Sequence, residues 1–167
     1  MDMNYCTQCG AKLHGKYHET EGRDIPYCES CQAFRYPGFN TAVSMLVLNR
    51  DRSRILLIQQ YGRPFYVLVA GYVDRGEDAE HAVVREVREE LGLTVDTLRF
   101  NRSHYFAPSN TLMLNFTVTV AEDNPHPNWE VDAWRWFTLE EARASIKPNS
   151  LAAAFLNGWL DGGAYPF

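Results

Sequence analysis

A helix with an unbroken apolar stripe on one side and three glutamates on another can settle into a fold in few ways. Residues 71–93 read GYVDRGEDAEHAVVREVREELGL. After Gly71 and a turn, Ala79, Val83, Val87 and Leu91 recur at every fourth position and line up as one apolar stripe. That stripe seats the helix on a core. Glu86, Glu89 and Glu90 lie away from it, and at about 100° per residue the three fall within an arc of roughly 100°. Like charges spaced i,i+3 and i,i+4 cost a few tenths of a kcal/mol per pair, so clustering them points to a cation to be gained. Hard divalent ions such as Mg²⁺ take carboxylate oxygens and water. The cluster reads as a metal site, with a solvated helix face as the alternative.

The chain of 167 residues has room for one core domain and a small appendage. Its net charge of −5 argues against gripping extended nucleic acid through a general basic surface, while leaving room for a local phosphate pocket. Charged and polar residues interrupt residues 1–20, so neither a signal peptide nor a membrane span is expected. The expected location is cytoplasmic. Cys6 and Cys9 form one C-x-x-C pair, Cys28 and Cys31 a second, and 18 residues separate the pairs. This is the spacing of a four-cysteine zinc ribbon, in which four thiolates close a tetrahedral structural site with no open position for substrate. Two disulfides or four free thiols are the alternative, the disulfides disfavoured in a reducing cytosol. His14 and His18, between the pairs, read as surface residues.

Downstream, the apolar run at 42–48 reads as a buried strand, 54–60 as its antiparallel partner, and 65–70 as a third strand leading into Gly71. Asp78 is placed to start the glutamate helix and Gly92 to cap its end. A strand is expected at 111–120 and another in WEVDAWRWFTL, after a polar loop with two prolines. Thr138 with Glu141 makes a capping box for a helix to about Ser145, and a last helix runs from about Ser150 to Leu160.

Gly71, Glu77, Arg85, Glu86, Val87, Glu89, Glu90, Gly92 and Leu93 occupy the fixed positions of the Nudix hydrolase signature, and the chain resembles that family. The resemblance implies an α+β fold, the Nudix α/β/α sandwich with a mixed sheet. A small zinc ribbon at 1–36 would precede a Nudix domain at 37–167. It further implies hydrolysis of a nucleoside diphosphate linked to another group, with Mg²⁺ or Mn²⁺ held by Glu86, Glu89 and Glu90. Arg85 reads as a partner for Glu77 that ties loop to helix, and Gly71 and Gly92 as structural positions.

A ribbon directly upstream of this signature resembles the NADH pyrophosphatase branch, as do RYP at 35–37, AGYVDRGE at 70–77, EVDAWRWF at 130–137 and NSLA at 149–152. By that resemblance Glu130 is a further metal-binding acid, the Ala70 carbonyl an extra ligand, and Tyr72 a ring that stacks on a base or nicotinamide. The implied reaction cleaves NAD(H) or an ADP-linked relative such as ADP-ribose to release AMP. NAD-capped RNA 5′ ends are admitted by the branch and disfavoured by the acidic chain. A homodimer is compatible with the resemblance. Where the branch carries a proline-rich SQPWPFPxSLM, this chain has SHYFAPSNTLM at 103–113. Tyr105 and Phe106 are the rings expected to meet substrate there, on a looser loop with a broader substrate range. The chain starts almost at the ribbon, so any pocket or dimer that longer members build from a preceding domain is expected to be built otherwise. The rival reading is a nucleotide-sensing binding module, which is expected to lose glutamates that are all present here.

Overall fold

The structure, a computed structural model, describes residues 3–167. It divides into two compact units, Met1–Phe39 and Asn40–Phe167.

In the first unit, β1 (His14–His18), β2 (Arg23–Cys28) and β3 (Ala33–Phe34) form an antiparallel sheet in that order. A tight turn precedes β1, where the Gly10 amide donates to the Cys6 carbonyl at 2.8 Å with Gly10 at φ 75°. The second cysteine pair brackets the turn between β2 and β3. Cys6, Leu13 and Cys28 make up the small buried cluster, and the Tyr27 and Phe34 rings meet edge to face at 4.9 Å. So little apolar burial does not hold a unit of about 40 residues without a staple.

The second unit is built on β4 (Asn40–Leu48), β5 (Arg54–Gln60), β6 (Val69–Tyr72), β7 (Val95–Phe106), β8 (Thr111–Val120) and β9 (Val131–Thr138). The order is β7-β8-β4-β5-β9, with β6 also paired to β4. Only β4 and β8 run parallel, which makes the sheet mixed. Helix α1 (Ala79–Leu91) covers one face, and α2 (Leu139–Ser145) with α3 (Leu151–Leu160) covers the other. This explains why β4 is an apolar run rather than an alternation: both its faces are buried. Val43, Met45 and Val47 meet Val83, Val87 and Leu91 of α1, while Leu46 and Leu48 meet Ala142, Phe155 and Leu156. Each fully buried aliphatic contributes roughly 1.5–3 kcal/mol, and cutting Leu91 to Ala would cost about 2–5 kcal/mol. No helix among the described residues is long and apolar enough to cross a membrane.

The termini of the helices follow local chemistry. Thr138 and Glu141 form the reciprocal capping box of α2, and the Ser150 hydroxyl accepts from the Ala153 amide at 3.1 Å to start α3. Gly92 ends α1 in the left-handed region at φ 65°, its amide bonded to the Arg88 carbonyl. Asp78 stands at the N-cap of α1 without a side-chain capping bond.

Two expectations change. The third strand is Val69–Tyr72, not 65–70. Tyr66 and Val67 make only isolated bridges, because Tyr66 pairs with Ile146, its carbonyl accepts from Lys147, and its ring packs on Phe137 at 4.9 Å. Nor is 103–113 a loose loop: β7 continues to Phe106, and a 3₁₀ turn at Ala107–Ser109 closes a hairpin onto β8. Pro108 within the turn, Asn110 at φ 50°, and the Asn40 amide, bonded to the Asn110 carbonyl at 2.9 Å, fix it.

Candidate active site and cysteine cluster

The catalytic candidates converge because one edge of β4 serves two strands. Its first half pairs with β6 and its end with β5, so the sheet parts between Gln60 and Ala70. α1 lies over this gap, and a cleft of about 480 Å³ opens there. Ala70, Gly71, Tyr72, Arg85, Glu86, Glu89, Glu90 and Glu130 all line it. Gly71 is needed for close approach, since a Cβ there would overlap the Glu86 carboxylate.

Arg85 organises the entrance. Its Nε and Nη2 donate to the two Glu77 oxygens at 2.9 Å each, and Nη2 also reaches the Tyr72 carbonyl at 2.9 Å. Nη1 donates to Glu86 at 2.8 Å and to Glu89 at 3.2 Å. Glu77 in turn accepts from the Asp74 amide, so one guanidinium pins the loop after β6 to the helix. That guanidinium and the Asp74 amide hold the Glu77 carboxyl at about 2.

Glu90 is the buried member, 4% exposed, with Gln60 Nε2 donating to it at 2.9 Å. Burial, then the charges of Glu86 and Glu130, push its carboxyl up to about 8. Burial also raises Glu86, against the pull of Arg85. The acidic side of α1 is therefore turned partly inward, with Glu89 left as its exposed edge.

Glu130 arrives through the free carbonyls at the end of α1. The last turn of any helix leaves carbonyls unsatisfied, and here His126 and Asn128 donate their amides to Leu91 and Glu90 at 2.7 and 3.1 Å. The Asn128 side chain then accepts from the Glu130 amide at 2.9 Å. Tyr61 donates its hydroxyl to Glu130 at 2.6 Å, which pushes the phenol up to about 12. Beside it, the Gly62 amide donates to Asp132 at 2.6 Å. Tyr61 and Gly62 sit at φ 55° and 67°, so the turn after β5 is shaped to meet these acids.

Tyr105 and Phe106 do not line the cleft. In the hairpin they pair with Leu112 and Thr111, on the outer strand of the sheet. The inner strand supplies the cleft instead, through Thr111 and Met113, with Ser109 from the turn. Tyr105 lies on the face opposite Thr111, and its hydroxyl donates to Asn110 at 2.6 Å. Tyr72 lines the cleft at 58% exposure, open to a flat ligand. Sequence reading missed Gln60, Tyr61, Asn128 and Thr111. The Tyr-Gly step after β5 is the one local signal, and it does not name a partner 69 residues away.

In the first unit, the sulfurs of Cys6, Cys9, Cys28 and Cys31 all lie within 4.8 Å of one another, the one such convergent ligand cluster among the described residues. Cys9 and Cys28 stand 3.5 Å apart and Cys6 and Cys31 4.0 Å. Four sulfurs at about 2.3 Å from a tetrahedral zinc stand roughly 3.8 Å apart, so the donor set fits. Arg35 Nε donates to Cys6 at 3.2 Å and draws that thiol down to about 6, while its crowded neighbours push Cys31 up to about 12. The four glutamates share a cleft without converging in this way, each being held by a protein donor.

Residues 38–155 match the NUDIX domain. The chain belongs to the NUDIX family. Among curated relatives, this NUDIX chain is 29% identical over 158 residues to the NAD-capped RNA hydrolase NudC of Stutzerimonas stutzeri, covering 93% of this chain and 55% of that protein. It is 27% identical over 161 residues to the NudC of Vibrio vulnificus, covering 95% and 59%. It thus spans a little over half the length of these relatives. A NUDIX hydrolase from Nitrosomonas europaea superposes with a TM-score of 0.69 at 18% identity, covering 96% of this chain and 94% of that one. The NUDIX domain of Shewanella oneidensis NrtR, complexed with ADP ribose, superposes at 0.63 with 13% identity, covering 81% and 93%. At such identities these structures speak for the fold alone.

Proposed function

We propose that this NUDIX chain hydrolyses the pyrophosphate of an ADP-linked nucleotide, NAD(H) or a relative such as ADP-ribose, and releases AMP. The observation that carries the reading is one cleft lined by Glu86, Glu89, Glu90 and Glu130, with Arg85 fixing its entrance. These four acids and the Ala70 carbonyl would hold Mg²⁺ or Mn²⁺. When bound, such ions neutralise phosphate oxygens and lower the pKa of a coordinated water. The protein's own part is positional. Gln60 and burial hold Glu90 at the floor, Tyr61 and Asn128 hold Glu130 opposite it, and a carboxylate of this set takes the proton of the attacking water. Tyr72 offers a face on which a base or nicotinamide stacks. Cys6, Cys9, Cys28 and Cys31 would hold a structural Zn²⁺. The names of the NudC relatives support an NAD-capped RNA 5′ end as a larger substrate containing the same bond.

The test is a panel of NADH, NAD⁺, ADP-ribose, FAD and diadenosine polyphosphates, with AMP release followed at added Mg²⁺. Turnover of NADH or ADP-ribose supports the reading. Tight binding of these nucleotides without AMP release would favour a sensor module instead.

A further inference from the structure

A second cavity, of about 460 Å³, lies between β7, β8 and the end of α3, and the proposed hydrolysis does not use it. Arg52, Arg99, Thr97, Thr117, Thr119 and Trp159 are the lining residues that matter. No Asp or Glu lines it, although the chain as a whole carries a net charge of −5. Neither Arg52 nor Arg99 is paired with an acid among the described residues, whereas Arg85 and Arg143 are. The turn that carries Arg52 is fixed: Arg52 is at φ 60°, its amide bonds the Asn49 carbonyl at 2.9 Å, and Asp51 accepts from the Ser53 amide at 3.0 Å.

The floor is a ladder of hydroxyl and amide groups. Thr97 and Thr119 pair at 2.5 Å, and Thr117 donates to Asn101 at 3.0 Å. Each hydroxyl keeps an accepting lone pair, which suits the hydroxyls of a ribose. Unpaired guanidinium groups suit a phosphate, and the half-buried Trp159 supplies an aromatic wall. We propose that this cavity binds one mononucleotide, its phosphate on Arg52 and Arg99 and its base against Trp159.

The site is separate from the catalytic cleft. On β8, Met113 is the cleft residue nearest the cavity and Thr117 the cavity residue nearest the cleft. The four-residue interval between them spans roughly 14 Å at about 3.4 Å per residue. Phe155, Tyr165 and Phe167 pack together on the same face of the sheet, with Phe155 5.6 Å from Phe167 and 6.5 Å from Tyr165. The cavity's Trp159 and Tyr165 belong to that face, while α1, which carries Glu86, Glu89 and Glu90, covers the other, so a nucleotide held by Arg99 does not reach these glutamates.

The test is calorimetric titration of AMP into the full chain without added divalent ions. Wild type, Glu90→Gln and the double variant Arg52→Ala/Arg99→Ala are compared, with circular dichroism as a check on folding. AMP should bind wild type and Glu90→Gln alike, and the double variant at least about tenfold more weakly, since each charge-assisted bond is worth that much or more. Adenosine, lacking the phosphate, should bind wild type more weakly by the same factor. Magnesium-dependent turnover by the double variant should be unchanged. AMP affinity that is undetectable, insensitive to the two arginines, matched by adenosine, or lost in Glu90→Gln instead would overturn the proposal. So would single-stranded RNA that binds far more tightly than AMP through the same arginines, which would make the ligand a polymer.

Discussion

Replacing Gly71 by Ala adds one methyl group against one side chain. The new Cβ would overlap Cγ, Cδ and Oε1 of Glu86. Carbon contacts settle at about 3.5–4.0 Å, so the carboxylate must retreat by more than about 1 Å. Its 2.8 Å bond from Arg85 is lost in the process. The atoms displaced are the far end of a flexible side chain, so neither β6 nor α1 has to move. Stability should fall by the value of one charge-assisted hydrogen bond, about 1.5–3 kcal/mol, or roughly 4–10 °C in melting temperature. Activity should suffer more, because a misplacement of about 1 Å in a catalytic constellation costs on the order of 100-fold. AMP release from NADH and thermal melting, measured on one preparation, separate the two effects. Shortening the acid with Glu86→Asp in the Gly71→Ala background should restore part of the rate by making room for the methyl. Turnover by Gly71→Ala within about threefold of wild type would refute the close-approach argument, and so would a variant that does not fold.

Further expectations concern single features of the two units. Glu77 is held at about 2, below the ordinary value of 4.5. Its ionised form thus stabilises the fold fully above the higher value, and that contribution is lost as pH falls toward the lower. Melting temperatures from pH 5 down to pH 2 should fall more steeply for wild type than for Glu77→Gln, and parallel curves would remove the Arg85 clasp. The purified protein should hold one zinc per chain through dialysis against EDTA and regain activity on return to Mg²⁺, checked by elemental analysis; a zinc-free protein with intact fold contradicts the cysteine site. Tyr72→Ala should raise KM about fivefold or more, in line with a stack of about 1–3 kcal/mol, while Phe106→Ala stays within about twofold. The reverse order in steady-state kinetics would return the substrate to the hairpin.

What was legible in the sequence was what local chemistry decides. The strands at 54–60 and 111–120, the capping box at Thr138 and the left-handed cap at Gly92 follow from periodicity and backbone preference. Residues 65–68 have the pattern of a strand because their apolar side chains serve a core while their backbone bonds elsewhere, which periodicity does not distinguish. The hairpin at 103–113 is not legible in its local sequence because part of its order comes from the Asn40 amide bonded to Asn110, a contact 70 residues away. The expectation of a broad substrate range rested on a loose loop there, and loses that basis. Glu130 was named from resemblance alone. Its tethers, Tyr61 and Asn128, depend on how the turn after β5 and the loop after β8 meet at the end of α1, which no local pattern encodes.

The central claim is that the buried carboxylate cleft performs metal-dependent pyrophosphate hydrolysis. Glu90→Gln keeps the size and helix propensity of the side chain and can keep the bond to Gln60, so the fold should persist while a charged ligand is lost. The decisive measurement is AMP release from NADH and ADP-ribose with Mg²⁺ by wild type and Glu90→Gln at matched circular dichroism. Wild type should turn over these substrates, and the variant should lose at least about 100-fold. Near-normal turnover by Glu90→Gln would contradict the claim.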